Sequence, residues 1–481
     1  MKTDFKNRIF GIVLTAVSIV LSAVFFYIVK DSAFLTKGLN LLVLGGLAVF
    51  NLIVFLLSFN SSKKIRTTIA TIITILMLLI YFVGSYFIII GKNTLLNVTD
   101  PKGEIVEVSV FVRTEDKAQN LTDAKDYLFG ILKEQDRNSV DYAINEIDKI
   151  IGKNISFKEF ESIDALLDAL VNKKEVNAII INRSFIDLLD ENEDSGYKDK
   201  LREVYTISIE LEKTENVNTP VNNKNVFTIY ISGVDCYGNV ALRSRSDVNI
   251  LMTVNVDTGQ ILLISTPRDF YWPLSISNGI PDKLTHAGIY GVNVSRDTVA
   301  SIYGVDIDYY FKVNFDGFRN IVDALGGIRV VSKYNFTCLG YNYVLGENYL
   351  NGDQALGFTR NRYSFGGGDG QRNLHQMEVI RAIIEKATGP AIILNYKEVL
   401  KSVEGAFETD MPYEMITTLI QNQIKNGTKW NVSSYMVSGT GGYEKPYSLG
   451  FKAYVLKPNL DKIEQAKSLM NQIRNGEIPN I

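Results

Sequence analysis

Residues 226–269 read VFTIYISGVDCYGNVALRSRSDVNILMTVNVDTGQILLISTPRD. Three runs in this stretch, 226–231, 248–256 and 260–265, have the length and the β-branched composition of strands. Asp257-Thr258-Gly259 joins the last two as a hairpin turn. Polar and charged residues gather where the strands begin or end. They are Ser232-Gly233-Val234-Asp235, Arg243-Ser244-Arg245-Ser246-Asp247 and Pro267-Arg268-Asp269. Arg245 and Asp247 are two apart, so in extended chain they face the same way.

Downstream, helical and strand patterns interleave. Residues 315–325 read as a helix closed by Gly326-Gly327, and 328–332 as the next strand. Residues 371–388 form a clear helical pattern, 430–437 a strand, and 459–473 a last helix capped by Asn459. Such mixing predicts an α/β domain with a central sheet. A fourth polar segment lies inside it: Phe358-Thr359-Arg360-Asn361-Arg362-Tyr363, then Gly366-Gly367-Gly368-Asp369, then Gln371, Arg372 and Gln376. Arg360 and Arg362 share a face if the chain there is extended. Arg372 and Gln376 sit side by side in the first turns of a helix, where the backbone N–H groups favour an anion. Arginine forks bind phosphate oxygens in pairs and keep their charge. The spacing therefore predicts an anion site suited to phosphate. Asp235 and Asp247 fit beside it if they hold a divalent cation, and magnesium commonly takes one or two carboxylates plus phosphate oxygens. His375 reads as a helix-surface residue. His286 leaves structural and functional readings open.

Upstream of residue 226, the stretch 213–224 is polar and reads as a linker. Before it, 106–112 and 176–181 read as strands and 122–133, 140–151 and 162–173 as helices, the last capped by Ser162. This is a small α/β unit without a chemical cluster. Ahead of it come three uncharged runs, 9–29, 38–59 and 67–91. Each covers the roughly 20 residues needed to cross about 30 Å of hydrocarbon as a helix. Lys2, Lys6 and Arg8, and then Lys63, Lys64 and Arg66, put the N-terminus and the second connection in the cytoplasm, so the chain after Gly91 is expected outside. The expected division is a three-helix anchor over 1–92, an accessory α/β domain over 93–222 and a main domain over 223–481.

Composition narrows the chemistry. The 481 residues carry a net charge of −3, so no global field points to nucleic acid. Cys236 and Cys338 lack CxxC spacing and read as free thiols. With two cysteines and two histidines in all, a Cys/His zinc site is short of ligands.

The runs ISGVD (231–235), RSRSDVNILMTVN (243–255), ISTPRD (264–269), KLTHAGIYG (283–291), DALGGI (323–328) and ALGFTRNRYSFGGGDGQRNLHQ (355–376) resemble the LytR-CpsA-Psr family. Three spans and an accessory domain resemble its capsule-associated CpsA branch. The resemblance implies an α/β/α catalytic domain with a central mixed sheet. It implies a magnesium-dependent phosphotransferase that moves a capsular polysaccharide from a polyprenyl pyrophosphate lipid onto peptidoglycan. Asp235 and Asp247 match magnesium-binding aspartates. Arg245, Arg360, Arg362, Arg372 and Gln376 match residues around the pyrophosphate. Arg268 matches a catalytic arginine, and Asp369 a carboxylate that orients the arginines. Leu374 and His375 stand where the family pattern carries more arginine and glutamine. Asp247 and Asp269 are both candidates for taking the acceptor proton. Capsule-synthesis proteins are expected as further partners, and nucleic acid is not. A hydrolase of the same lipid and a non-catalytic lipid-binding regulator of capsule synthesis remain the alternatives.

Overall fold

The computed structural model describes residues 2–59, 64–100, 103–191, 196–212, 225–361, 368–389 and 405–481, and singly 399 and 402. These fall into two compact units. The first comprises residues 1–99 and 411–429, the second residues 100–410 and 430–481. The linker read over 213–224 lies outside the described residues.

In the first unit, Lys2–Asp31, Lys37–Phe59 and Lys64–Thr99 are helices. All three are long and apolar enough to cross a membrane, and the protein is anchored by them. Their outward faces are apolar, with Leu42, Ile65 and Phe82 exposed, as lipid contact requires. Small polar residues join them inside. Ser18 donates to Asn51 at 2.6 Å, Asn51 donates to Ser22 at 2.9 Å, and Ser22 meets the Tyr81 hydroxyl at 2.8 Å. One network thus ties all three helices, the kind of interhelical contact that replaces the hydrophobic effect in lipid. Gly11 allows close approach, since a Cβ there would stand 2.6 Å from the Ser58 carbonyl oxygen. The third helix runs past the expected boundary at residue 92 to Thr99, and Lys92 pairs with Asp31 at 2.6 Å. The helix Tyr413–Asn426 also belongs to this unit. Tyr413 donates to the Ser32 carbonyl at 2.5 Å and Gln421 to that of Ala33 at 2.6 Å.

Among the described residues, the second unit holds two large sheets and four two-stranded ones. The smaller of the two large sheets has five strands in the spatial order Ser156–Phe160, Leu128–Leu132, Ala178–Asn182, Ile105–Arg113, Leu201–Glu210. Arg137–Ile151 and Ile163–Val171 are helices of this part, and Ser162 caps the second by accepting from the Ala165 N–H. One expectation fails here. Residues 122–133 are not a helix: a short turn of helix at Thr122–Ala124 gives way to the strand Leu128–Leu132. That strand pairs in parallel on both sides and is buried on both faces, so its apolar run has no strand-like alternation.

The larger sheet has six strands in the order Phe407–Thr409, Tyr309–Val313, Val226–Val234, Ser246–Asn255, Gln260–Thr266, Asn431–Met436. It is mixed. The three strands Val226–Val234, Ser246–Asn255 and Gln260–Thr266 are antiparallel, and Tyr309–Val313 and Asn431–Met436 flank them in parallel. This is the α/β domain with a central mixed sheet that the sequence predicts. On one face, Tyr230, Leu251, Leu262, Ile264 and Tyr310 pack on Val299 and Ile302 of the helix Val292–Tyr303 and on Ile463, Leu469 and Ile473 of the helix Leu460–Arg474. The accessory part shares a core with the main domain: Ile289, Leu449 and Ala453 lie in one cluster with Ile163, Leu167 and Phe185.

Candidate functional site

The other face of the large sheet bounds a cavity of about 1360 Å³. Side chains alternate along a strand, so the residues next to those in the core point the other way. Ile229 and Ile231 flank Tyr230, Met252 follows Leu251, and Phe311 follows Tyr310. All four line the cavity. Phe318 and Ile321 come from the helix Phe315–Ala324, and Ile380, Ile383 and Ile384 from the helix Gly368–Ala387. The result is an apolar slot between sheet and helices. Its wall also carries Asp235, Arg245, Asp247, Arg268, Arg360, Arg372 and Gln376. The arginines expected from three distant segments therefore surround one space.

At the polar end, carboxylates hold guanidiniums. Arg245 donates to Asp235. Arg268 donates through Nη1 to both oxygens of Asp247, at 3.0 and 2.9 Å, and Thr285 adds a bond to the same carboxylate at 2.9 Å. Asp269 meets the Lys283 ammonium at 3.3 Å and Arg268 Nε at 3.6 Å. Lys283 is buried and lines the cavity, yet sequence reasoning did not single it out. Its place at the head of KLTHAGIYG was the available signal.

The alternation in Arg243-Ser244-Arg245-Ser246-Asp247 has a structural cause. Ser246 points inward and meets Ser232 at 2.8 Å and the Tyr230 hydroxyl at 3.1 Å. Tyr230 donates to Asn249 at 2.6 Å, and Asn249 donates back to the Ser246 carbonyl at 2.8 Å. This buried network fixes the strand start, so its neighbours Arg245 and Asp247 reach the cavity. Behind the segment lies the short helical turn Leu284–Tyr290. A Cβ on Gly288 would stand 2.3 Å from the Ser244 carbonyl oxygen and 2.6 Å from the Ser246 nitrogen. Only glycine lets the turn press on the arginine segment.

Arg360 ends the helix Gly352–Arg360, so the condition of extended chain under which it would share a face with Arg362 is not met at Arg360. The helix starts at an Asn351–Gln354 capping box, a signal the reading of the arginines passed over. The Arg360 guanidinium lies 4.7 Å from the Phe315 ring centre, a cation–π contact, and 3.5 Å from the Tyr237 hydroxyl. Arg362 lies outside the described residues. Asp369 is in the first turn of the helix Gly368–Ala387, and its side chain also lies outside them. Arg372 and Gln376 are buried against the cavity. His375 is not a surface residue. It is 3% exposed and stacks on Phe336 at 5.1 Å between ring centres. Its Nδ1 donates to the Phe358 carbonyl at 3.0 Å, which leaves Nε2 to accept from Gln371 at 2.9 Å. Burial pushes its pKa down to about 4. His286 is fully buried, with Nδ1 2.6 Å from Asp282. Cys236 and Cys338 are free thiols.

Burial opposes the charge on Arg245, but Asp247 and Asp235 outweigh it and hold its pKa above the ordinary value. Its Nε is buried with no acceptor among the described residues. A buried donor without a partner costs free energy unless a ligand supplies one. Asp235 and Asp247 offer hard carboxylate oxygens to the same cavity and both act on Arg245, the donor type that magnesium takes. Among the described residues no group of three or more His, Cys, Asp or Glu could hold a metal. Two carboxylates therefore need oxygens from a ligand or water to complete a shell.

The sequence model of the LytR_cpsA_psr family matches residues 195–470, more than half of the chain. The chain belongs to the LytR_cpsA_psr family. Among its relatives is the polyisoprenyl-teichoic acid–peptidoglycan teichoic acid transferase TagU of Bacillus subtilis (strain 168). It is 35% identical over 235 residues, 49% of this chain and 75% of that protein. The transferase of the same name from Enterococcus faecalis is 34% identical over 209 residues, 43% of this chain and 68% of that one. Of solved structures, the LytR_cpsA_psr chain aligns with that of B. subtilis TagV at 24% identity and a TM-score of 0.44, covering 53% of this chain and 98% of the other.

Proposed function

We propose that this protein is a glycopolymer transferase that takes a glycan from a polyprenyl diphosphate carrier and joins it to peptidoglycan. The observation that carries this reading is the single cavity with an apolar slot and an arginine-rich end. A long isoprenoid suits the slot, and a diphosphate suits the converging guanidiniums. Family membership and relatives named as teichoic acid–peptidoglycan transferases support it. The glycan is read as a capsular polysaccharide, from the three spans and accessory domain that resemble the CpsA branch. The N-terminus is read as cytoplasmic and the second unit as extracellular, from the basic residues flanking the spans.

In the transfer, an acceptor hydroxyl oxygen attacks the phosphorus that carries the glycan. The bond from that phosphorus to the bridging oxygen breaks, and polyprenyl phosphate leaves with the electron pair. A phosphodiester forms between glycan and acceptor. Arg245, Arg268, Arg360 and Arg372 offset the charge on the phosphoryl oxygens, with Gln376 beside them and Arg362 and Asp369 as further residues of this group. Such reactions depend chiefly on positioning and electrostatics. Asp247 and Asp269 are the candidates for taking the hydroxyl proton. Magnesium, held by Asp235 and Asp247, would supply further neutralisation of phosphate charge.

The test is purification of the full chain in detergent, mass spectrometry of bound lipid, and a transfer assay with peptidoglycan. Bound polyprenyl phosphate or diphosphate and a glycan–peptidoglycan conjugate are expected. Arg268→Ala should cut transfer by about 100-fold or more while lipid stays bound. Free glycan phosphate without a conjugate would mean a hydrolase. Full function in Arg268→Ala and Asp247→Ala with lipid bound would mean a regulator.

A further inference from the structure

The cavity wall includes two side chains that no step of the transfer uses. Tyr443 and Tyr454 face each other across the hairpin formed by the strands Gly439–Glu444 and Ala453–Pro458. Their rings stand 6.0 Å apart, edge to face. Tyr443 is 69% exposed and Tyr454 45% exposed. Two large rings left open to water beside a charged site need a reason.

We propose that this hairpin is a binding platform for a pyranose ring of the glycan chain. The inference rests on the carrier-lipid reading above and names the subsite that such a substrate would meet next to its phosphates. Three observations carry it. First, the hairpin is fastened to the candidate catalytic segment. Leu456 donates to the Asp269 carbonyl at 2.7 Å, and Phe270 and Leu456 form a parallel bridge. The rings are therefore held at a fixed distance from Arg268. Second, the strand opposite Tyr454 is built from Gly439, Thr440, Gly441 and Gly442, a poor composition for a strand. A Cβ on Gly441 would come within 2.8 Å of the Tyr454 hydroxyl, and Gly442 meets nothing nearer than the Lys457 side chain at 3.7 Å. What approaches Gly441 closely is Tyr454 itself, so the glycine strand seats that ring against the hairpin and leaves the surface at Gly442 open beside it. Third, the surface chemistry suits a sugar. A tyrosine ring has an electron-rich face and a polar tip. A pyranose has a face of polarised C–H bonds and a rim of hydroxyls, so it can stack and hydrogen-bond on one residue. A polyprenyl chain has no use for the tip, and a phosphate none for the face.

Both the donor glycan and the peptidoglycan acceptor contain such rings, and the experiment separates them. The full chain in nanodiscs is titrated with chitotetraose, with bare undecaprenyl diphosphate and with the glycan-bearing lipid. The variants are Tyr443→Ala, Tyr454→Ala and the matching Phe substitutions. Each Ala variant is expected to lose about tenfold in affinity for a sugar-containing probe, and the Phe variants less. Bare lipid should bind all of them alike. Loss on chitotetraose assigns the platform to the acceptor. Loss on the glycan-bearing lipid alone assigns it to the donor. Unchanged affinity for both sugar probes overturns the proposal. Failure of the native protein to bind bare lipid would instead sink the carrier reading, and the chitotetraose titration would still decide the tyrosines.

Discussion

Glu104 accepts from the Lys312 ammonium at 3.0 Å, which joins the residue ahead of an accessory strand to the strand Tyr309–Val313 of the large sheet. Glu104 precedes the strand Ile105–Arg113, next to the edge of the accessory sheet. Lys312 sits between Phe311 and Val313, which line the cavity, and is itself almost fully buried. Glu104 also takes Arg243 at 2.9 Å and the Val292 N–H at 3.0 Å. Burial raises the Glu104 pKa, but Lys312 and Arg243 outweigh it and hold the carboxyl below its ordinary 4.5. One carboxylate thus ties the accessory part to the arginine segment, to a cavity strand and to a core helix. Breaking a buried pair on one side leaves a charge uncompensated, so Glu104→Gln should cost about 3–5 kcal/mol. Chemical denaturation of the native chain and the variant measures this. A cost near zero would mean that Glu408, 3.8 Å from Lys312, is sufficient on its own.

Gly288→Ala tests whether the arginine segment is held from behind. Its Cβ would overlap the backbone of Ser244 and Ser246. We expect a stability loss of about 1–3 kcal/mol and a larger proportional loss of phosphate binding, because Arg245 moves. Thermal unfolding and lipid titration read the two separately. Unaltered lipid affinity in a destabilised variant would argue against the positioning role.

His375 makes stability depend on pH. Its folded pKa of about 4 lies below the ordinary 6.5. Between those values the unfolded chain takes up a proton that the folded protein refuses. Its contribution is therefore complete above about pH 6.5 and is lost as pH falls toward 4, to a total of about 3 kcal/mol. His375→Asn should flatten that part of the stability profile. A profile with the same slope in the variant would assign the dependence to other groups.

Met252→Trp should shorten the apolar slot. The side chain points from the sheet into the cavity, and the larger ring would occupy space that an isoprenoid needs. The amount of polyprenyl lipid that co-purifies should fall several-fold, while the arginines at the other end stay in place. An unchanged lipid yield would place the tail elsewhere.

Much of the fold could be read because local chemistry states it. Asn314, Asn459 and Ser162 each cap a helix through the side chain, and those helices begin where the sequence places them. Leu128–Leu132 was misread because a strand buried on both faces loses its alternation. The cavity was invisible for a related reason. Tyr230 and Ile231 are both apolar, but one faces the core and the other the slot, and composition cannot tell a filled side from an empty one. The site was legible as motifs, and Arg245, Arg268, Arg360 and Arg372 line one cavity. What could not be read was how each is held. Arg360 needs Phe315, and Arg245 needs Gly288, and both partners are distant in sequence. His375 looked superficial since its ring partners come from residues 336 and 358.

The helix Tyr413–Asn426 lies within the sequence of the main domain but packs with the anchor, so the backbone passes between the two units three times. A protease that cut the chain just after Thr99 would therefore not free the second unit from the anchor. The severed piece would still be moored by that helix, through Tyr413 and Gln421 on the Ser32–Ala33 turn. Release would require a second event, the loss of that grip.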